Sequence, residues 1–415
     1  MNNCLTLLLV TFTATTLVAS SEPMKNTPSN FGEDVAFLKK HTDAIVLRRG
    51  DAAVAVAPGY QGRVMTSTAT GDGGSSYGWL NYKLIAKGVV PPEEAKGTLE
   101  SKIHVFGGEE RFWLGPEGGQ FGIFFAPGAK FDFADWKTPP AIDTEAFDTV
   151  SSDDTKAVFA SSFSVTNQSG TKFDVGVERT VRLLDREQIA QALDATIPED
   201  LSFVAYETVN TITNRGEKAW DVDSGLLSLW ILGMYKPSPS TVMAIPFRED
   251  GEGPVVNDAY FGKIAPDRLK VGKGVVFFKG DGASRGKIGI PTSRSTPFAG
   301  SYSPDLGALT IVRCDPVEKD GRYVNSMWEK QENPYAGDVI NAYNDGSPAP
   351  GELPLGPFYE LETSSPSAEL ASGASLTHKQ VTVHFAGQPE QLHPIAEAKL
   401  GAGIREIRDA FAADK

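Results

Sequence analysis

Two neighbouring runs, KAVFASSFSVTNQSG (Lys156–Gly170) and KFDVGVERTVRLLD (Lys172–Asp185), decide how this chain is read. Both alternate apolar and polar residues with a period of two, the repeat of a strand whose side chains point to opposite faces, and a turn-forming Asn-Gln-Ser-Gly separates them. The same pattern recurs at AIVLRRGDAAVAVAPGYQGRVMTSTATGDG (Ala44–Gly73), FVAYETVNTITNRG (Phe203–Gly216), GALTIVRCD (Gly307–Asp315) and SLTHKQVTVHF (Ser375–Phe385). Short strands spaced by turns predict an all-β chain, a large antiparallel sandwich. Helix is expected at the C-terminus, QLHPIAEAKLGAGIREIRDAFA, where Ile404, Ile407 and Phe411 recur at helical spacing. DREQIAQAL (Asp185–Leu193) is the other candidate helix, with a surface turn as the alternative.

The chain has 415 residues and a formal charge of -14, with 42 glycines and 27 prolines scattered between apolar runs. No basic cluster is present to meet phosphates, so a nucleic-acid partner is excluded and a neutral substrate fits better. The apolar run Leu5–Ala19 is too short to span a bilayer comfortably and ends in small residues, which predicts a signal peptide over 1–20 and export to the periplasm or the extracellular space. No membrane span is expected in the mature chain. A flexible mature N-terminus (21–34), one β-domain (35–389) and a terminal helix packed on it (390–415) complete the expected organisation. Cleavage leaves Cys314 as the one cysteine, so no internal disulfide is available. Nothing in the sequence sets the oligomeric state.

The stretch GGEERFWLGPEGGQFGIFF (Gly107–Phe125) places charges in an otherwise apolar segment. If it is extended, Glu109, Arg111 and Trp113 share one face while Phe112 and Leu114 enter the core. Pro116 and its glycines bend the chain, turning Glu117 toward the same concavity. A guanidinium fork, an indole plate and a carboxylate suit a saccharide, whose apolar face stacks while its hydroxyls bond. The competing reading is a structural Arg111–Glu117 or Arg111–Glu109 ion pair. In FYELET (Phe358–Thr363), Glu360 and Glu362 share a side opposite Tyr359 and Leu361, and two carboxylates so close raise at least one pKa. Asn341 and Tyr343 lie just upstream, in a segment with Trp328 and Tyr335 that has the composition of a saccharide wall or of a long surface loop. Trp230, inside LLSLWILGMY, reads as core. Of the five histidines, His104 shares strand parity with Phe106 and is the one candidate acid, against a structural role; His41, His378, His384 and His393 read as solvated or capping residues. No histidine pair or Cys/His cluster has metal-ligand spacing, and GDGG (71–74) and NDG (344–346) read as turns, so no metal and no cofactor are expected. Nucleotide-binding loops are absent.

YQGRVMTSTATG (60–71), FGGEERFWLGPEGG (106–119) and PFYELETSSPSAELASGASLTHKQVTVHF (357–385), in this order, resemble the landmarks of the galactose mutarotase-like superfamily, most nearly its exported bacterial members. The resemblance implies a β-supersandwich with a sugar-binding cleft on one sheet. It also places Glu362 where aldose 1-epimerases carry the base that deprotonates the anomeric hydroxyl. Where they carry His-Gly-Gly this chain has Phe106-Gly107-Gly108, and the segment matching their second histidine, SGLLSLWILGMY (224–235), has none. Two readings stand. One is an epimerase, lyase or hydrolase with Glu362 as base, Glu117 or His104 as acid, and Arg111, Trp113, Glu109, Glu360, Asn341 and Tyr343 holding the sugar. The other is a saccharide-binding protein that has lost the proton relay.

Overall fold

A computed structural model describes residues 30–348 and 351–412. The expected signal peptide, and Cys4 within it, lie outside the described residues.

Alternation becomes two facing layers. The larger is a ten-stranded antiparallel sheet in which Lys156–Thr166, Lys172–Leu183, Ser202–Asn214, Ser375–Ala386 and Ala308–Cys314 are successive neighbours. Facing it is a five-stranded sheet in the order Gly286–Pro291, Asp338–Asn344, Tyr359–Ser364, Ser228–Tyr235, Arg111–Gly115. A three-stranded sheet (Ile45–Arg49, Ala52–Ala57, Arg63–Thr68) extends this second layer, because Val64 bridges Glu110 immediately before the Arg111–Gly115 strand. The result is the β-supersandwich expected from the sequence.

Helices close the outer face of the ten-stranded sheet. Arg186–Leu193 opens on a capping box from Asp185 and Gln188, so of the two readings the helix is formed, burying Ile189 and Leu193. The expected single terminal helix is two, Pro389–Leu400 and Ile404–Asp409, interrupted at Gly401, whose φ is 72°. Leu392, Ile395, Leu400, Ile404 and Ile407 pack on Val381, Val383 and Phe385 of the sheet beneath. The N-terminal boundary also moves, since a helix runs Phe31–His41 with Asn30 as its N-cap and takes in the last residues, 31–34, of the segment expected to be flexible.

Because helices cover Val381, Val383 and Phe385, the opposite side of that strand must face the other layer. His378 and His384 are therefore buried, correcting the expectation that they are solvated. Burial holds the His378 pKa down at about 4, and its Nε2 lies 2.8 Å from the Thr363 hydroxyl. Glu109 is corrected in the same way. Gly107 and Gly108 have φ of 87° and 112°, and a Cβ on Gly107 would stand 2.2 Å from the Trp79 carbonyl. Only glycine tolerates this. The strand begins two residues later, and both glutamates turn into the space between the layers. Glu109 Oε1 accepts from Ser67 Oγ at 2.6 Å and from His384 Nε2 at 2.7 Å. Glu110 accepts from Arg179 Nη2 at 3.0 Å and Gln380 Nε2 at 2.9 Å, while Arg179 also donates to the Gly62 carbonyl and to Asn210.

Arg179 and Glu110 are both fully buried, so removing one partner strands the other. Arg179→Met is expected to cost about 3–5 kcal/mol of unfolding free energy. Arg179→Met combined with Glu110→Leu should recover a large part of it, both read by chemical denaturation.

Candidate functional site

With its partner face closed by helices, the ten-stranded sheet offers no open surface there, and the exposed concavity lies on the outer face of the five-stranded sheet. Strand register arranges that face in rows. Lys287, Tyr343, Glu360 and Met234 are cross-strand neighbours in one; Asn341, Glu362, Leu232 and Arg111 in the next; Ser364, Trp230 and Trp113 in the third. A cavity of about 550 Å³ opens above them. Arg111, Trp113, Tyr343 and Glu360 lie on its wall as expected from parity. So does Glu117, carried over by the turn after Gly115–Pro116, a cis peptide, and fixed by its backbone N–H donating to Ser326 Oγ at 3.1 Å.

The charges are tied in pairs. Arg111 Nη2 donates to Glu360 Oε1 at 2.5 Å, and the guanidinium lies 4.6 Å from the Trp113 ring. Arg111 thus pairs with Glu360, on a strand distant in sequence, and not with Glu109 or Glu117. Lys287 Nζ and Trp230 Nε1 both donate to Glu362 Oε2, at 3.0 and 2.9 Å. The Lys287 ammonium also sits 4.6 Å from the Trp230 ring. Trp230 is therefore a wall residue, correcting the core reading. Trp136 Nε1 donates to Glu117 Oε1 at 2.9 Å, and the Trp136 and Trp328 rings stack 6.0 Å apart across the mouth.

Burial sets the proton balance. It pushes the Glu360 pKa up to about 8; Arg111 opposes this, while the neighbouring Glu362 adds to it. Glu117 is also raised, first by burial and then by Glu362, against Lys287. Burial pulls Lys287 down, but Glu362, Glu117 and Glu360 reverse this and leave it above its ordinary value. Glu362 Oε1 is buried without a hydrogen-bond partner.

Three more expected residues lie off the cavity wall, the first being Glu362, 1% exposed and buried against Lys287 and Trp230. His104 lies off the cavity wall: its Nε2 accepts the Val90 N–H at 3.1 Å and its Nδ1 lies 3.1 Å from Asp143, so both nitrogens serve the fold and none is free as an acid. Asn341 adjoins Glu362 in register but lines a separate void of about 10 Å³, with its amide donating to the Ile288 carbonyl and Tyr260 Oη. Tyr335 bonds the Val222 carbonyl, while Trp328 reaches the cavity. Lys287, Trp136 and Arg285 were missed from sequence. Lys287 had a signal, a lone cation alternating with glycine and isoleucine in GKIGIP; Trp136, in a loop, had none. No group of three or more metal-ligating side chains exists among the described residues, and no described helix is long and apolar enough to cross a membrane. Phe133, Phe261 and Leu353 ring the opening, 52%, 41% and 89% exposed.

Solved structures with a similar course include a candidate aldose 1-epimerase from Escherichia coli K12, 13% identical over 82% of this chain and 98% of that one, TM-score 0.46. A galactose mutarotase-like protein from Lactobacillus casei is 13% identical over 82% and 99%, TM-score 0.42. A galactose mutarotase related enzyme from Lactobacillus acidophilus is 8% identical over 83% and 98%, TM-score 0.43. These identities carry no residue roles across. A search of curated proteins finds no match. The family model that matches, over residues 29–411, is DUF6786, and the chain belongs to this family of unknown function.

Proposed function

We propose that the protein binds a mono- or oligosaccharide against the five-stranded sheet and acts on it by general acid/base chemistry. The carrying observation is the carboxyl pair on one strand, Glu360 bonded by Arg111 with its pKa pushed up by burial and Glu362 held by Lys287 and Trp230. A cavity of about 550 Å³ has the size of a small-ligand site, and its indoles offer plates for the C–H faces of sugar rings. Glu362 is the base that takes a proton from a sugar hydroxyl. Glu360, or Glu117 opposite, is the acid that delivers one to the oxygen whose bond to carbon breaks. Arg111 and Trp113 hold the ring. Export, argued from Leu5–Ala19, belongs to the same proposal.

A second reading, binding without turnover, is favoured by one fact: no histidine lines the cavity. Glu362→Gln separates the two. On the enzymatic reading, screening a saccharide panel finds a turned-over sugar, and the variant retains binding while its kcat falls by about 10²–10⁴. Saccharide binding with no product from either protein supports the passive binder.

Glu360 adds a pH signature. Its folded pKa of about 8 lies above the ordinary 4.5, so the folded state holds a proton that the unfolded chain releases between those values. That contribution to stability is complete below about pH 4.5 and is lost as pH rises through about 8. Turnover and melting temperature are expected to decline together over that rise, and the Glu360 share of the melting slope is expected to vanish in Glu360→Gln, measured by scanning fluorimetry across pH.

A further inference from the structure

Three cationic side chains line the cavity, and they are not alike. Arg111 and Lys287 are each ion-paired with a glutamate. Arg285, on the same wall and partly buried, makes no hydrogen bond or ion pair with the described residues, and its Nε–H is buried without an acceptor. Its position is nevertheless fixed: the guanidinium lies 4.0 Å from the centre of the Phe261 ring, a cation–π contact at the cavity edge. Asp345 on the same wall feels the Arg285 charge, but its oxygens accept from Tyr343 Oη at 2.6 Å and the Gly356 N–H at 2.8 Å, and neither bonds the guanidinium. A guanidinium held on a ring, with its fork free inside a binding cavity, is a receptor for a planar or tetrahedral oxyanion.

We propose that the saccharide bound here carries an anionic group, and that Arg285, braced by Phe261, is the residue that selects for it. This rests on the saccharide reading above and names its substrate class. Position supports the assignment. Arg285 stands two residues before Lys287, an advance of about 6–7 Å along the chain if it continues the strand's course, comparable to the breadth of one sugar ring. An acidic substituent on the ring that meets Glu360 and Glu362, or on its neighbour, therefore falls at the guanidinium. Carboxylate, sulfate and phosphate esters share this chemistry.

The test measures the affinity of the full protein for matched probes: galacto-oligosaccharides of one to four units, oligogalacturonides of the same lengths, galactose 6-sulfate and galactose 6-phosphate. The wild type is expected to favour at least one charged series over its neutral counterpart by about 10–100-fold, with the preference weakening as salt rises. The three charged arms identify the anion. In Arg285→Gln that preference should collapse to near unity, and Arg285→Lys should restore part of it. Equal affinity of the wild type for neutral and charged sugars overturns this inference and leaves the saccharide reading intact. So does a preference that survives Arg285→Gln. Failure of every probe, neutral or charged, overturns both.

Discussion

The interior carboxylates Glu109, Glu110, Glu360 and Glu362 are each held by a basic side chain, and the layers pack around these pairs. Isolated ions lose several kcal/mol on leaving water, so each glutamate brought inside needs a cation or several donors in reach. Between the layers the pairs are Arg179 with Glu110 and His384 with Glu109; on the outer face they are Arg111 with Glu360 and Lys287 with Glu362. The first set ties the sheets to one another. The second ties together strands that are distant in sequence, and so it shapes the floor on which any ligand must rest.

One short segment contributes to both sets. Between Gly107 and Glu117 the chain sends two carboxylates inward and then an arginine, an indole and a third carboxylate outward. The change of direction is local, produced by two glycines with positive φ directly before the two glutamates that precede the strand. Stability and ligand chemistry are thereby coupled through neighbouring residues, and substitutions near Glu110 disturb the position of Arg111.

Much of this could be read from the residues. Period-two alternation separated Phe112 and Leu114 from Arg111 and Trp113, and it put Glu360 and Glu362 on one side, because within an unbroken strand parity is geometry. It failed at Glu109, where the strand had not yet begun. It failed for His378 and His384 for a different reason: parity gives sides but not which side is wet, and here helices cover the side assumed to be the interior. Glu362 was legible, but its partners Lys287 and Trp230 were not, because contacts across 75 and 132 residues leave no local trace.

The opening of the cavity is framed by Phe133, Phe261 and Leu353, which come from three separate loops, whereas Lys287, Glu360 and Glu362 stand on strands. Lengthening or trimming one of these loops would change the length of ligand that fits without moving those three side chains. A scaffold so divided can be retuned to longer or shorter ligands by grafting its edges alone.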